Sequence, residues 1–225
     1  MKKADYNGIR VRYYDHDEEF AADREADYTI VRTLPEDTER IIQLEKAGFS
    51  FHNRTMLCEI QLDRLNPDLV KLVRGDVRKT AVLAEEVCAV ADKAFTTDRR
   101  FHLDKRFNQP LAKRLLGKYV PEQLESACAL YACYHKNRMI GFTVIKDLGG
   151  GKCENVLGAV DPEYQNKGAA FNLYVYMAES LKKDGYKTLF GRISTTNTAS
   201  INLHIMLGGK YSHVEDEYIF RKHSQ

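Results

Sequence analysis

The sequence predicts an α/β protein built on a mixed sheet, and three observations carry that expectation. Short stretches of alternating apolar residues are interleaved along the chain with amphipathic stretches of helical period. One strand-helix-strand unit, running from Asn155 to Ile193, has the lengths of a crossover, which sets two strands parallel in a sheet whose other connections are short. The chain has 225 residues, 44% of them hydrophobic, enough to bury a substantial core.

Taken in order, Ile9–Tyr14 and Tyr28–Arg32 read as strands. Pro35 opens a helix that ends at Gly48, with proline first and glycine after. Ser50–Leu62 follows as a long strand with Met56, Cys58, Ile60 and Leu62 on one face. His52 and Arg54 in this strand are candidates to face an acceptor, or solvent. A seam at Arg64-Leu-Asn-Pro67 separates residues 1–66, a small α/β extension, from residues 67–225. The extension is expected to serve the acceptor side or dimerisation. Leu69–Arg74 alternates as a strand, and Leu83, Val87, Val90, Ala91 and Ala94 recur at helical spacing.

The charged loop DRRFHLDKRFNQ comes next, and Pro110 starts a short helix. Cys128–Tyr134 and Met139–Ile145 form a hairpin turned at Lys136-Asn-Arg138. Gly149–Gly151 bends the chain into the strand Asn155–Val160. The helix after Gly168 carries Leu173, Met177 and Leu181 on one face and stops at Gly185. Leu189–Ile193 is a strand, Ala199–Leu207 a short helix and His213–Arg221 a last strand. An exposed final strand makes a homodimer conceivable.

Composition removes several function classes. Lys and Arg total 34 against 32 Asp and Glu, so the charge gives no general attraction to nucleic acid or membrane. The start, MKKADYNGIR, lacks an apolar stretch after its lysines and reads as neither signal peptide nor anchor. No apolar run approaches the roughly 20 residues of a spanning helix. The five cysteines, Cys58, Cys88, Cys128, Cys133 and Cys153, show no Cys-x-x-Cys spacing. They read as reduced thiols of a cytoplasmic protein, with no disulfide frame and no metal site.

The informative stretch is Ala159–Ala170, AVDPEYQNKGAA. A buried-looking strand meets a proline, then Gln-x-x-Gly-x-Ala, then a long amphipathic helix. A glycine at such a junction lets another molecule approach the backbone, and the first turn of the helix offers unpaired N–H groups and a positive dipole end. Phosphate suits that geometry. The spacing is not Walker A, because Lys167 precedes the glycine, and not a Rossmann fingerprint, because Gln165 stands where the first glycine would. A plain helix start, with Gly168 serving tight packing, is the competing interpretation.

VDPEYQNKGAA resembles the pyrophosphate loop of the GNAT superfamily of N-acyltransferases, Gln/Arg-x-x-Gly-x-Gly/Ala after a strand. A second segment, Asn197-Thr-Ala-Ser-Ile-Asn-Leu-His-Ile-Met-Leu-Gly208, is similar to the family's asparagine-to-helix-to-Leu-Gly segment. The resemblance covers roughly Leu69 to Arg221. It implies the family's fold, a central mixed and mostly antiparallel sheet flanked by helices, with acetyl-CoA or another acyl-CoA as co-substrate and no metal. The layout with RRFHLD after the first helix is most similar to TDP-fucosamine acetyltransferase and related sugar-nucleotide amine acetyltransferases.

Residue by residue, the resemblance implies that backbone groups of Gly158, Ala159 and Val160 pair with the pantetheine arm. The N–H groups of Gln165, Asn166, Lys167, Gly168, Ala169 and Ala170 would cradle the pyrophosphate. Asn197 would bond the coenzyme, and Ser200 lies one turn further on. The strand before the loop would splay from the next, opening a cleft for the thioester.

His204 stands where the family has a tyrosine that protonates the departing thiolate. Asn197, Ile201 and His204 share a helix face, so a coenzyme-facing Asn197 would bring His204 toward the sulfur. Imidazolium can hand a proton to a thiolate. Water, or a tyrosine among Tyr164, Tyr174, Tyr176, Tyr211 and Tyr218, is the alternative acid. The N–H of Val160 would stabilise the oxyanion of direct transfer. Water, Glu154 or Asp104 would serve as base. For the acceptor, Arg99 and Arg100 would pair with a diphosphate, Phe101 would stack, and His102 or Asp104 would bond hydroxyls or the amine.

The expected activity is acyl transfer to a primary amine of a small molecule, first a nucleotide-linked amino sugar. Another metabolite, an antibiotic or a peptide amine is the second reading, and a non-catalytic acyl-CoA-binding module the third.

Overall fold

The computed structural model describes residues 2–6, 9–20, 25–81, 84–95 and 119–222. In chain order these form β1 (Lys2–Tyr6), β2 (Ile9–Tyr14), β3 (Tyr28–Thr33), α1 (Thr38–Lys46), β4 (Ser50–Gln61), α2 (Pro67–Lys71), β5 (Asp76–Thr80) and α3 (Ala84–Ala94). After these come β6 (Ala129–His135), β7 (Arg138–Gly149), β8 (Lys152–Val160), α4 (Ala169–Lys183), β9 (Thr188–Ser194), α5 (Thr198–Met206) and β10 (Lys210–Arg221). Residues 119–125 are also helical.

The chain divides into two compact units. One holds Met1–Met56, Ser194–Thr196 and His213–Gln225, the other Leu57–Ile193 and Asn197–Ser212. The Arg64–Pro67 stretch lies within the second.

In the first unit the strands run in the order β1-β2-β3-β10-β4. β2 and β3 are parallel, while β1 with β2 and β3 with β10 are antiparallel. Tyr14, Val31, Leu44, Phe49 and Tyr218 make its core. Helix α1 starts at Thr38, not at Pro35, because the Asp37 carboxylate accepts the Arg40 N–H at 3.1 Å and fixes the cap there. Arg54 makes two bonds to the buried Asp216, at 2.6 and 2.7 Å. Its guanidinium is therefore matched to a carboxylate of the same unit.

The second unit is a mixed sheet in the order β4-β9-β8-β7-β6-β5. β5 through β8 pair antiparallel and β8 pairs with β9 in parallel, as the crossover through α4 requires. The hairpin between β6 and β7 turns on Lys136 and Asn137, both left-handed (φ 49° and 62°), the backbone of a type I′ turn. Alternation along these strands builds a core on each face. On one, Val87, Val90 and Ala91 of α3 cluster with Leu130, Ala132, Phe142 and Val144. On the other, Leu173, Met177 and Leu181 of α4 cluster with Tyr131, Ile145 and Cys153. A fully buried leucine or phenylalanine of this kind stabilises the fold by about 1.5–3 kcal/mol.

One element differs in kind from the sequence reading. Leu69–Arg74, expected as a strand, contributes instead to α2, and the strand begins only at Asp76. The Asn66 side chain accepts the Asp68 N–H at 3.0 Å, with Pro67 at the first helical position. This cap nucleates a turn that overrides the short apolar alternation of LVKLV.

Candidate active site

The site begins with a flaw in the sheet. β7 and β8 are in register from Gly141↔Val160 to Val144↔Leu157, and then Ile145 pairs with Asn155. Val156 is therefore an extra residue, a bulge that bends and twists β8. The pairing of β8 with β9 runs from Lys152↔Thr188 to Asn155↔Gly191. It ends where the bulge begins, so the two strands part and Gly158–Val160 form one arm of a fork.

Alternation tells which amides line that arm. The Asp161 N–H donates to the Ile140 carbonyl of β7 at 2.8 Å. Backbone groups of successive residues point to opposite edges, which turns the N–H groups of Val160 and Gly158 away from β7 and toward the fork. The Val160 carbonyl on this edge accepts the Gln165 side-chain amide at 3.1 Å. Gln165 thus ties the phosphate-type loop to the strand.

The loop itself is built by three local devices. Asp161, 1% exposed, accepts the Glu163 N–H at 3.1 Å and starts the short 3-10 turn Pro162–Tyr164. Asn166 and Gly168 are left-handed, at φ 59° and 82°. Gly168 then caps α4 without a side-chain bond to its first turn. Gln165, Asn166, Lys167 and Gly168 are exposed, Ala169 is buried and Ala170 half-buried, and the Lys167 ammonium lies 5.8 Å from the centre of the Tyr164 ring. The first-turn N–H groups of α4, which no helix can pair internally, open at an exposed loop at the end of the fork.

Asp161 carries charge as well as the cap. The Lys93 ammonium and the Arg138 guanidinium reach its carboxylate at 3.0 and 2.8 Å. Burial alone would raise this carboxyl, but Lys93, the Glu163 N–H and Arg138 outweigh it and hold it below its ordinary value. A depressed carboxyl stabilises the fold above its unfolded value, and that contribution is lost as pH falls through the folded value. Asp161→Ala is expected to lower stability by about 1–2 kcal/mol, mainly through the lost cap. It should also flatten the acid limb of a urea-unfolding series between about pH 5 and pH 2.

At the fork, α4 and α5 each supply a ring. The hydroxyl of Tyr174, a residue 9% exposed, lies 2.6 Å from where a Cβ on Gly158 would be. The Asn155 amide donates to it at 3.0 Å, and the Thr143 hydroxyl donates to the Asn155 oxygen at 2.9 Å. Burial raises the Tyr174 phenol, with Asn155 and Thr143 pulling the other way. The ring of His204 meets that of Tyr174 edge to face at 5.4 Å, and its Nε2 lies 3.4 Å from a Cβ position on Gly191 of β9.

His204 is 3% exposed, and its Nδ1 is 2.7 Å from the Ser200 carbonyl. A carbonyl only accepts, so Nδ1 carries the proton and Nε2 presents a lone pair. Burial depresses the imidazole and the Ser200 carbonyl offsets part of this. The folded protein therefore binds this proton less well than the unfolded chain, and stability falls as pH drops below about 6.5. His204→Leu is expected to remove that part of the slope, read from melting temperature against pH beside wild type.

The sequence-derived residues are brought together unevenly. Gly158 and Val160 lie on the fork-facing edge that leads to the loop 165–170, whereas Ala159, expected to join them, turns its backbone to β7 opposite Phe142; Ser200 touches His204. Asn197 is exposed and its side-chain oxygen caps α5 by accepting the Ser200 N–H at 3.1 Å, so its amide NH2 is what it offers a ligand. Glu154 lies in the paired half of β8, opposite Phe190. Tyr211 donates to the Ile201 carbonyl at 3.2 Å. Arg99, Arg100, Phe101, His102 and Asp104, with Pro110 and its short helix, lie outside the described residues. Thr143 and Asn155 were missed as site residues, although a threonine and an asparagine inside apolar strands are the signal. Among the described residues no group of three or more His, Cys, Asp or Glu is arranged to hold a metal ion, and no helix is long and apolar enough to cross a membrane.

Comparison with known proteins gives the architecture a context. Residues 92–208, more than half of the chain, match the model of the acetyltransferase (GNAT) family. A functionally unknown conserved protein from Staphylococcus epidermidis superposes with a TM-score of 0.64 at 15% identity, over 88% of this chain and 73% of that one. A GCN5-related N-acetyltransferase from Sphaerobacter thermophilus gives 0.59 at 12% identity, over 88% of this chain and 60% of that one. A GCN5-related glucosamine N-acetyltransferase region of a fungal multi-domain GH3 β-N-acetylglucosaminidase gives 0.62 at 13% identity, over 87% of this chain and 26% of that one. A search of curated proteins finds no match.

Proposed function

The chain belongs to the acetyltransferase (GNAT) family, and from that premise we propose that it transfers an acetyl or other acyl group from acyl-CoA directly to a primary amine of a small molecule. The observation that supports this reading most is the fork. β8 loses β9 after Asn155, and the edge so exposed leads straight into a loop that ends in a left-handed glycine and a bare helix start. A pyrophosphate at residues 165–170 and a pantetheine arm along Gly158–Val160 would place the thioester at the apex, beside the paired rings of Tyr174 and His204. The arm's amides can bond to the strand edge as another strand would.

In this reading the amine attacks the thioester carbonyl and the developing oxyanion is met by an N–H that faces the fork, Val160 first and Gly158 next. Asn197 and Ser200 stand at the α5 end of the coenzyme site. His204 lies beside the sulfur, and as a proton donor it must first be protonated at Nε2. The acceptor loop containing Arg99, Arg100, Phe101, His102 and Asp104 carries the cations and ring that a nucleotide-linked amino sugar would use. Such a sugar, of the TDP-fucosamine type, is the first acceptor to test. Residues 1–66 are proposed to serve the acceptor side or pairing with a second copy.

Free-thiol release from acetyl-CoA, followed with TDP-linked amino sugars and with a panel of other primary amines, tests the proposal. Turnover that depends on the amine supports it. Coenzyme binding with no thiol release across the panel would leave a non-catalytic acyl-CoA-binding module.

A further inference from the structure

The acyl-transfer reading leaves one proton unassigned, the one that the departing thiolate takes up, and this inference rests on that reading. His204 is placed near the apex, but its one ring proton is committed to the Ser200 carbonyl at 2.7 Å. Tyr174, on the other helix, presents a protonated oxygen. We infer that Tyr174 is the catalytic acid that protonates the coenzyme sulfur, with His204 holding its ring.

Three observations meet at this oxygen. It lies over Gly158, 2.6 Å from that residue's Cβ position, where the fork-facing edge of β8 begins. The Asn155 amide, directly before the bulge, donates to it at 3.0 Å, and the Asn155 oxygen is held in turn by the hydroxyl of Thr143, opposite Gly158 in β7. A donor aimed at a phenol oxygen favours the phenolate that proton transfer leaves behind. The third is the edge-to-face contact with His204 at 5.4 Å, which fixes the ring between α4 and α5.

The step balances without another reactant. The amine nitrogen forms the C–N bond, the carbonyl re-forms, and the C–S electron pair leaves with sulfur. Rotation about the phenol C–O bond turns the Tyr174 hydrogen to sulfur, which takes it as the C–S bond breaks. The nitrogen's surplus proton passes to water, and the phenolate recovers one from solvent after release.

Tyr174→Phe and His204→Phe, assayed beside wild type by thiol release, with acetyl-CoA affinity and melting temperature measured on each, test this assignment. Loss of a positioned acid costs roughly 100-fold or more in kcat. Tyr174→Phe is expected to show that loss with acetyl-CoA affinity kept within a few-fold. His204→Phe, which leaves an aromatic neighbour for the tyrosine, should lose about ten-fold or less. Tyr174→Phe losing less than about ten-fold, or His204→Phe losing as much as Tyr174→Phe or more, overturns the assignment while acyl transfer stands. Wild type that binds acetyl-CoA yet releases no thiol with any amine removes the acyl-transfer reading and this assignment together.

Discussion

Gly158→Val is expected to reduce kcat/KM for acyl transfer by roughly 100-fold or more, the loss that follows when reacting groups move by about 1 Å. A Cβ at this position would lie 2.6 Å from the Tyr174 hydroxyl and 3.5 Å from the Thr143 hydroxyl. Real contacts are not that short, so the ring must move. Asn155, itself held by Thr143, bonds the phenol and His204 flanks its ring, so displacement breaks contacts that fix the apex of the fork. The valine methyls would also stand where the thioester is to lie. Overpacking of this kind destabilises by about 1–3 kcal/mol, so melting temperature must be measured with rate. A folded variant that works within a few-fold of wild type would mean that the thioester does not approach Gly158.

The second large effect is expected at the loop. Gly168 has φ 82°, a conformation that costs an ordinary L-residue about 1–2 kcal/mol, and more for a β-branched one. Space is not the obstacle, since the nearest atom to its Cβ position is 3.9 Å away. Gly168→Val is therefore expected to weaken acetyl-CoA binding about 5- to 30-fold, the equivalent of that strain, when the loop re-forms to relieve it. Gly168→Asn should bind better than the valine variant, because asparagine enters the left-handed region more readily. Titration calorimetry on the two variants checks the order. Equal affinity for wild type and valine would separate this loop from the coenzyme.

The sequence was legible where local chemistry decides structure. The hairpin at Lys136-Asn-Arg138, the crossover through α4 and the glycine before it are each set by a turn, a period or a cap that can be read from adjacent residues. α2 was not legible as a helix, because a five-residue apolar alternation looks like a strand until the Asn66-Pro67 cap is weighed against it. The expectation that the strand would part from its neighbour came only from resemblance to a family. Its physical cause, the extra residue Val156, depends on which β7 residue pairs with which β8 residue and so on long-range register. The same holds for Tyr174. Its place beside Gly158 is set by α4 docking on the sheet and not by any neighbour in the chain. His204 could be set on the Asn197 helix face from spacing, yet its burial and its tautomer follow from packing against Tyr174, Gly191 and the Ser200 carbonyl.

Residue-resolved amide hydrogen exchange with and without coenzyme A tests the central claim most directly, because it asks whether the open edge of β8 receives the coenzyme's arm. Protection gained at the Gly158 and Val160 N–H groups, together with shifts at residues 165–170, is the predicted result. Coenzyme A binding that leaves both amides exchanging as they do in the unliganded protein would contradict it.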